Sequence, residues 1–209
     1  MRIVAIVLVA VGCNATGVQG SGKAAHDVRQ VPPFDAITVG GALDVEVDVG
    51  SAQQVTIDGD DNLVPLVHSE VSGHILKLWT ERSFHAKVPV IAHIAMPSFA
   101  GIDLSGAGHV RVQNISGGAL ALTVSGAGKL TAAGSAHDAT IELSGAGAID
   151  AEALHLDRAT VKLGGAGNVD VFASQALSAE ISGTGHIRCD GHPAQIDKKV
   201  SGVGSLEVR

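Results

Sequence analysis

Two aspartates, Asp150 and Asp170, occupy matching surroundings in Ile149-Asp150-Ala151 and Val169-Asp170-Val171. If such segments stack, their carboxylates adjoin, and paired carboxylates on a β-helix face are the arrangement of polysaccharide-cleaving enzymes of similar shape. Arg188 follows in the next matching segment, Ile187-Arg188-Cys189, where it would partly neutralise Asp170. Exposed like charges of this kind are more often tolerated surface than acid–base machinery. Asp150, Asp170 and Arg188 are therefore read as a weak candidate ligand face, and no residue is assigned as catalytic.

The remaining chemistry-bearing residues point mostly to structure. Asp58, Asp60 and Asp61 hint at calcium, but the further ligands and the closing Glu of an EF-hand loop are missing, so they read as a polar turn. The 10 histidines are scattered, and His109 and His186 share a repeat position four repeats apart. No His-x-x-x-His or Cys-x-x-Cys phrase suggests zinc. Neither a Gly-x-Ser-x-Gly elbow nor a P-loop is present. No metal or cofactor is expected. Cys189 reads as a buried, inert thiol.

Cys13, the other of the 2 cysteines, closes a leader. Met1-Arg2 gives a short positive region, and Ile3 to Val11 is an unbroken apolar run, too short to span a bilayer but suited to a secretory signal. Ala10-Val11-Gly12-Cys13 resembles a bacterial lipobox, whose Cys is lipidated and becomes the new N-terminus, although Leu is usual where Ala10 stands. Residues 1–13 are thus expected to be a signal ending at a lipid-attachment Cys13. Residues 14–30, rich in Gly, Ser, Ala and polar side chains, are expected to be a flexible tether.

The positioning elements lie in a repeat. The phrase Ser105-Gly106-Ala107-Gly108 returns, with small variations, at 125, 144, 164, 182 and 201, in steps of 18–20 residues. Apolar residues alternate on either side of it, as in Ile141 and Leu143 before one copy and Ile149 and Ala151 after it. This period of two predicts two half-buried strands per repeat. Such a unit cannot bury its apolar face alone, but stacked copies can. The pattern predicts an all-β fold, a right-handed single-stranded parallel β-helix over residues 31–209. Its regular coils span 99–209, and irregular coils that also cap the end span 31–98. Outward Glu142, Lys162, Glu180 and Lys199 would form a ladder of alternating sign. Glycines would supply the corners' positive φ and close approach.

Composition sets limits on function. The net charge of −7, with 2% aromatic residues, lacks the basic face and stacking rings of a nucleic-acid binder. With 45% hydrophobic residues the chain can build a core, but one filled by aliphatic side chains.

Phe34-Asp35-Ala36-Ile37, Gly59-Asp60-Asp61-Asn62-Leu63, Met96-Pro97 and the recurring Ser-Gly-Ala-Gly phrases resemble the auto-transporter adhesin head GIN domain family of bacterial envelope proteins. The resemblance covers about residues 30–209. It implies a β-helix, export, and an adhesin-like role without catalytic residues. The expected function is a non-catalytic envelope module, attached to the bacterial membrane by a lipid anchor and binding a glycan or protein. The anchor would make it an outer-membrane lipoprotein, periplasmic or surface-facing. A structural scaffold without a dedicated ligand is the alternative, and a polysaccharide-active enzyme using Asp150 and Asp170 a weaker one.

Overall fold

The computed structural model describes residues 17–209. Cys13 and the leader lie outside them. The regular part is a parallel β-solenoid. His109–Val124, Lys129–Leu143, Ala148–Leu163 and Ala166–Ile181 stack in parallel, each pairing with the next. The stack continues through Thr184–Asp190, Gln195–Val200 and Val203–Val208. Interior columns are aliphatic and in register: Val45, Val110, Leu130, Ile149, Val169 and Ile187 form one, all buried. At ~1.5–3 kcal/mol per fully buried side chain, several such columns are needed to offset chain entropy.

The repeated phrases align as one corner column. Ala127 N–H donates to Gly106 O (3.0 Å), Ala146 to Gly126 O (2.9 Å), Ala166 to Gly145 O (2.9 Å), Thr184 to Gly165 O (2.8 Å) and Val203 to Gly183 O (2.9 Å). Ala107 N–H donates to Gly41 O (2.9 Å), so Gly40-Gly41-Ala42 is a further corner. The glycines serve close approach rather than positive φ. Of the corner glycines in the regular coils only Gly185 has a positive φ, whereas a Cβ on Gly126, Gly145, Gly165 or Gly183 would collide with the carbonyl oxygen one coil away.

Two features differ from the sequence expectation. Each regular coil has a third paired stretch between the two expected strands. Ser135 and Ala136 pair with His155 and Leu156, which pair with Phe172 and Ala173, after register shifts at Thr131/Gly134 and Ala151/His155. Leu156 and Ala173 face the core here, so the middle of the coil is also a packed wall.

The N-terminal half is also less serial than expected. Ala36–Val39 lies between Ile75–Thr80 and Gly101–Leu104, and Asp44–Val49 between Ile91–Met96 and His109–Val124. The coil of residues 36–49 therefore stacks on a later one before the regular coils begin. Antiparallel strands close this end: Val67–Ser72 pairs with Ile75–Thr80, and Gln54–Asp60 with Ile91–Met96.

The expected tether at 14–30 is corrected from residue 18 onward. Val18–Gln19 is a strand beside Phe84–His85, and Ala24–Arg29 pairs antiparallel with Gln54–Asp60. Its Gly-Ser composition suggested freedom, but a clasp holds it. Asp60, fully buried, accepts from the backbone N–H groups of Gly22 (2.6 Å), Lys87 (2.8 Å) and Val88 (3.1 Å). Asn62 donates to Gln19 O (2.8 Å) and accepts from Ser21 N–H (2.9 Å), and Ser21 Oγ donates to Asp61 (2.6 Å). The expected polar turn at Asp58-Asp60-Asp61 is this clasp. Asp58 lies on the strand and contacts His26 and His93.

Candidate functional site

Asp150, Asp170 and Arg188 fall in one outward column, paired coil over coil as the repeat predicts. Stacking forces the carboxylates together, and cations answer them. Arg188 Nη1 donates to Asp170 Oδ1 at 2.8 Å, and Lys129 Nζ lies 3.6 Å from Asp150. A glycosidase pair needs one protonated carboxyl and one free carboxylate facing the same substrate bond. Here each carboxylate has its own cation, and the column continues to Glu207 beyond Arg188. The arrangement is a charge ladder. Glu142, Lys162, Glu180 and Lys199 make another, with Lys199 Nζ 2.7 Å from Glu180. Hydrogen bonding from Lys199 holds the Glu180 carboxyl below its usual range.

The third side of the coils, absent from the sequence reading, carries a more varied surface. Ser116, Ser135, His155, Phe172 and Asp190 form one outward column. His137, Asp157 and Ser174 stand beside it, two residues further along each coil. His137 Nδ1 is 2.8 Å from Asp157 Oδ2, and Ser174 Oγ is 3.4 Å from Asp157 Oδ1 while donating to Leu156 O at 3.1 Å. The His155 and Phe172 rings meet edge-on at 4.7 Å, 83° apart. All of these residues except Asp190 line a shallow groove of about 370 Å3.

Ser, His and Asp together invite comparison with a nucleophilic triad, but the order is wrong. In a triad the imidazole lies between carboxylate and hydroxyl and takes the hydroxyl proton. Here the carboxylate lies between the other two, and the Ser174 hydroxyl is turned to a backbone carbonyl. The cluster can donate and accept hydrogen bonds without activating Ser174.

A second groove, about 530 Å3, runs along the neighbouring corner. Thr140, Thr160, Ser178 and Asp197 line it in register. Arg158 forks onto Asp138 through Nε (2.6 Å) and Nη2 (2.8 Å). The Arg158 hydrogen bond holds the Asp138 carboxyl below its usual range and raises the guanidinium's pKa. That guanidinium is committed to the fold.

His109 and His186 share one column with three coils between them. Among the described residues no group of three or more His, Cys, Asp or Glu could hold a metal ion. Cys189 is buried at an interior position, and burial pushes its thiol pKa up. Among the described residues no helix is long and apolar enough to cross a membrane. The sequence reading missed His137, Asp157 and Ser174 because it looked for strands only beside the glycine phrases. Their recurrence at coil spacing was the available signal.

Comparison with known proteins agrees with this architecture. The family model described as "Putative auto-transporter adhesin, head GIN domain" matches residues 33–193. No curated protein matches the chain significantly. A solved structure described as a putative adhesin from Bacteroides fragilis superposes with a TM-score of 0.76 at 22% identity, covering 92% of this chain and 100% of that one. A putative adhesin and a putative lipid binding protein, both from Parabacteroides distasonis, give TM-scores of 0.55 and 0.54 at 20% and 19% identity. Each covers 93% of this chain and 100% of its own. At these identities the likeness concerns the fold. The family match spans most of the chain, and with the corner column and the parallel coils it places the protein in the auto-transporter adhesin head GIN domain family.

Proposed function

We propose that this chain is the non-catalytic binding head of an exported bacterial envelope protein. The observation that carries this reading is the outward surface of the coils. It consists of in-register columns of hydroxyl, imidazole and paired charges around shallow grooves, and the one candidate acid–base pair is answered by cations. A repeated flat surface of this kind suits recognition of an extended ligand. The family description as an adhesin head agrees with it.

Cys13 is the attachment point, lipidated after removal of residues 1–12. The first described strand starts at Val18, so few residues separate the lipid from the head. Five residue steps span at most ~18 Å, so the head would sit against the membrane with its capped end nearest. Mass spectrometry of the membrane fraction should find a diacylated or triacylated N-terminal Cys13, and Cys13→Ala should release the chain. An unmodified Cys13 in a soluble product would remove the anchoring claim. For the binding role, cells producing the full chain should adhere to their natural surface more strongly than cells lacking it. Equal adherence would overturn the head reading.

A further inference from the structure

We propose that the groove around Phe172, His137 and Asp157 is a subsite for a neutral saccharide. The proposal rests on the binding-head reading and names its ligand class. Three observations converge on it. First, Phe172 is a half-buried outward ring on the regular coils of a chain with 2% aromatic residues; Phe34 and Phe99 are buried, and half-buried Phe84 packs against the core at the capping end. Interior packing does not explain its position. A flat ring at a groove edge offers a platform for the C–H face of a pyranose. The His155 ring packs against Phe172 at 83°, with centroids 4.7 Å apart.

Second, the polar groups beside the ring suit hydroxyls. A sugar hydroxyl both donates and accepts. The groove supplies a carboxylate on Asp157, imidazoles on His137 and His155, and hydroxyls on Ser135 and Ser174. His137 Nδ1 lies 2.8 Å from Asp157 Oδ2, which orients the carboxylate and leaves Oδ1 free to accept from a ligand hydroxyl. The coils of Ser135, His155 and Phe172 each place a different side chain at these two positions, at about the 4.8 Å strand spacing, so a chain of sugars lying across the coils would meet a new partner at each step. At one end Gly117 and Gly118 leave open space where side chains would otherwise stand.

Third, charge selects among saccharides. Asp157 lines the groove, Asp190 extends the Phe172 column, the nearby Arg158 is committed to Asp138, and the whole chain carries −7. Uronic and sialic acids would meet unfavourable charge, whereas a neutral polyol would not. A peptide strand would need a free sheet edge or apolar pockets, and this wall is already paired on both sides.

The test uses the purified full-length chain on an array of neutral oligosaccharides (glucose, galactose, mannose and N-acetylglucosamine series) alongside uronic-acid and sialylated ones. Neutral members should bind. Phe172→Ala should weaken that binding at least tenfold. His137→Ala, an exposed change that leaves the core intact, should weaken it severalfold. Arg82→Gln, exposed and outside the outward columns of the coils, should bind as the parent does. No neutral ligand, binding of acidic members only, or binding unchanged in both Phe172→Ala and His137→Ala would overturn the subsite. If cells carrying Phe172→Ala still adhere like the parent while cells lacking the chain do not, the subsite falls and the head reading stands.

Discussion

Arg188 reaches down one coil to hold Asp170 at 2.8 Å, and this pair decides how the most chemically suggestive column of the sequence behaves. Asp170→Asn and Asp150→Asn should both fold normally. Each pair is partly exposed, so each substitution should cost at most about 1 kcal/mol, less at high salt. The parent chain and both variants should alike leave polysaccharides uncleaved. Incubating the parent chain with polysaccharides and measuring new reducing ends checks this directly. A signal that disappears in both variants would restore the enzymatic alternative.

The corner glycines make the sharpest prediction about the fold. A Cβ at Gly145 would collide with Gly126 O, which accepts the Ala146 N–H that links the coils. Gly145→Ala must push two coils apart, at a cost of about 2–4 kcal/mol. In a chain of this size that is a fall in Tm of roughly 4–16 °C. Gly118→Ala is the comparison, since nothing lies within 4 Å of the new methyl group. It should change stability by less than about 0.5 kcal/mol. Thermal melts of the two variants side by side decide whether glycine is needed for space or merely tolerated.

The repeats were legible because two signals coincide in them: alternation of apolar residues and glycines at coil spacing. Leu143, Ile149 and Val169 face inward where that pattern puts them. The third side was not legible, because register shifts near Thr131 and Ala151 break the alternation just before it. His137 and Asp157 therefore fall outside the two strands per repeat that the pattern marks. Ala24–Arg29 carries no apolar period, and its partner Gln54–Asp60 lies about thirty residues away, so a strand there depends on a distant clasp. The placing of residues 36–49 between two later coils breaks the serial order that repeats encourage one to assume.

The clasp predicts acid sensitivity. Burial alone would raise the Asp60 pKa, but backbone N–H donors from Val88, Gly22 and Lys87 outweigh it and hold the carboxyl below 3.8. A lowered folded pKa means the unfolded chain binds the proton more readily. The stabilisation is therefore present above the unfolded value and is lost as pH falls below 3.8 through the folded one. Asp60→Asn should lower Tm at neutral pH and flatten the acid limb of the Tm–pH curve. Amide exchange should also accelerate first in Ala24–Arg29, which the clasp secures. An unchanged acid limb would mean that other carboxylates set it.

Lys198 yields the last prediction. The interior column Leu76, Ile37, Ile102, Leu122, Ile141, Val161 and Ala179 runs through the stack, and its next member is Lys198. The neighbouring interior columns reach Ile196 and Val200, exposed at 50% and 40%, and among the described residues no strand pairs with the far side of Gln195–Val200. An open parallel edge with apolar residues at its mouth is a template for another chain, and a charge at an inward position opposes such pairing. Two copies meeting at this edge would bring Lys198 against Lys198. Lys198→Val should leave the fold intact, since the Lys198 side chain is exposed. It should promote concentration-dependent association through this edge. Sedimentation velocity across a hundredfold concentration range checks it. A variant as monodisperse as the parent would show that something other than the inward lysine keeps the terminal coil unpaired.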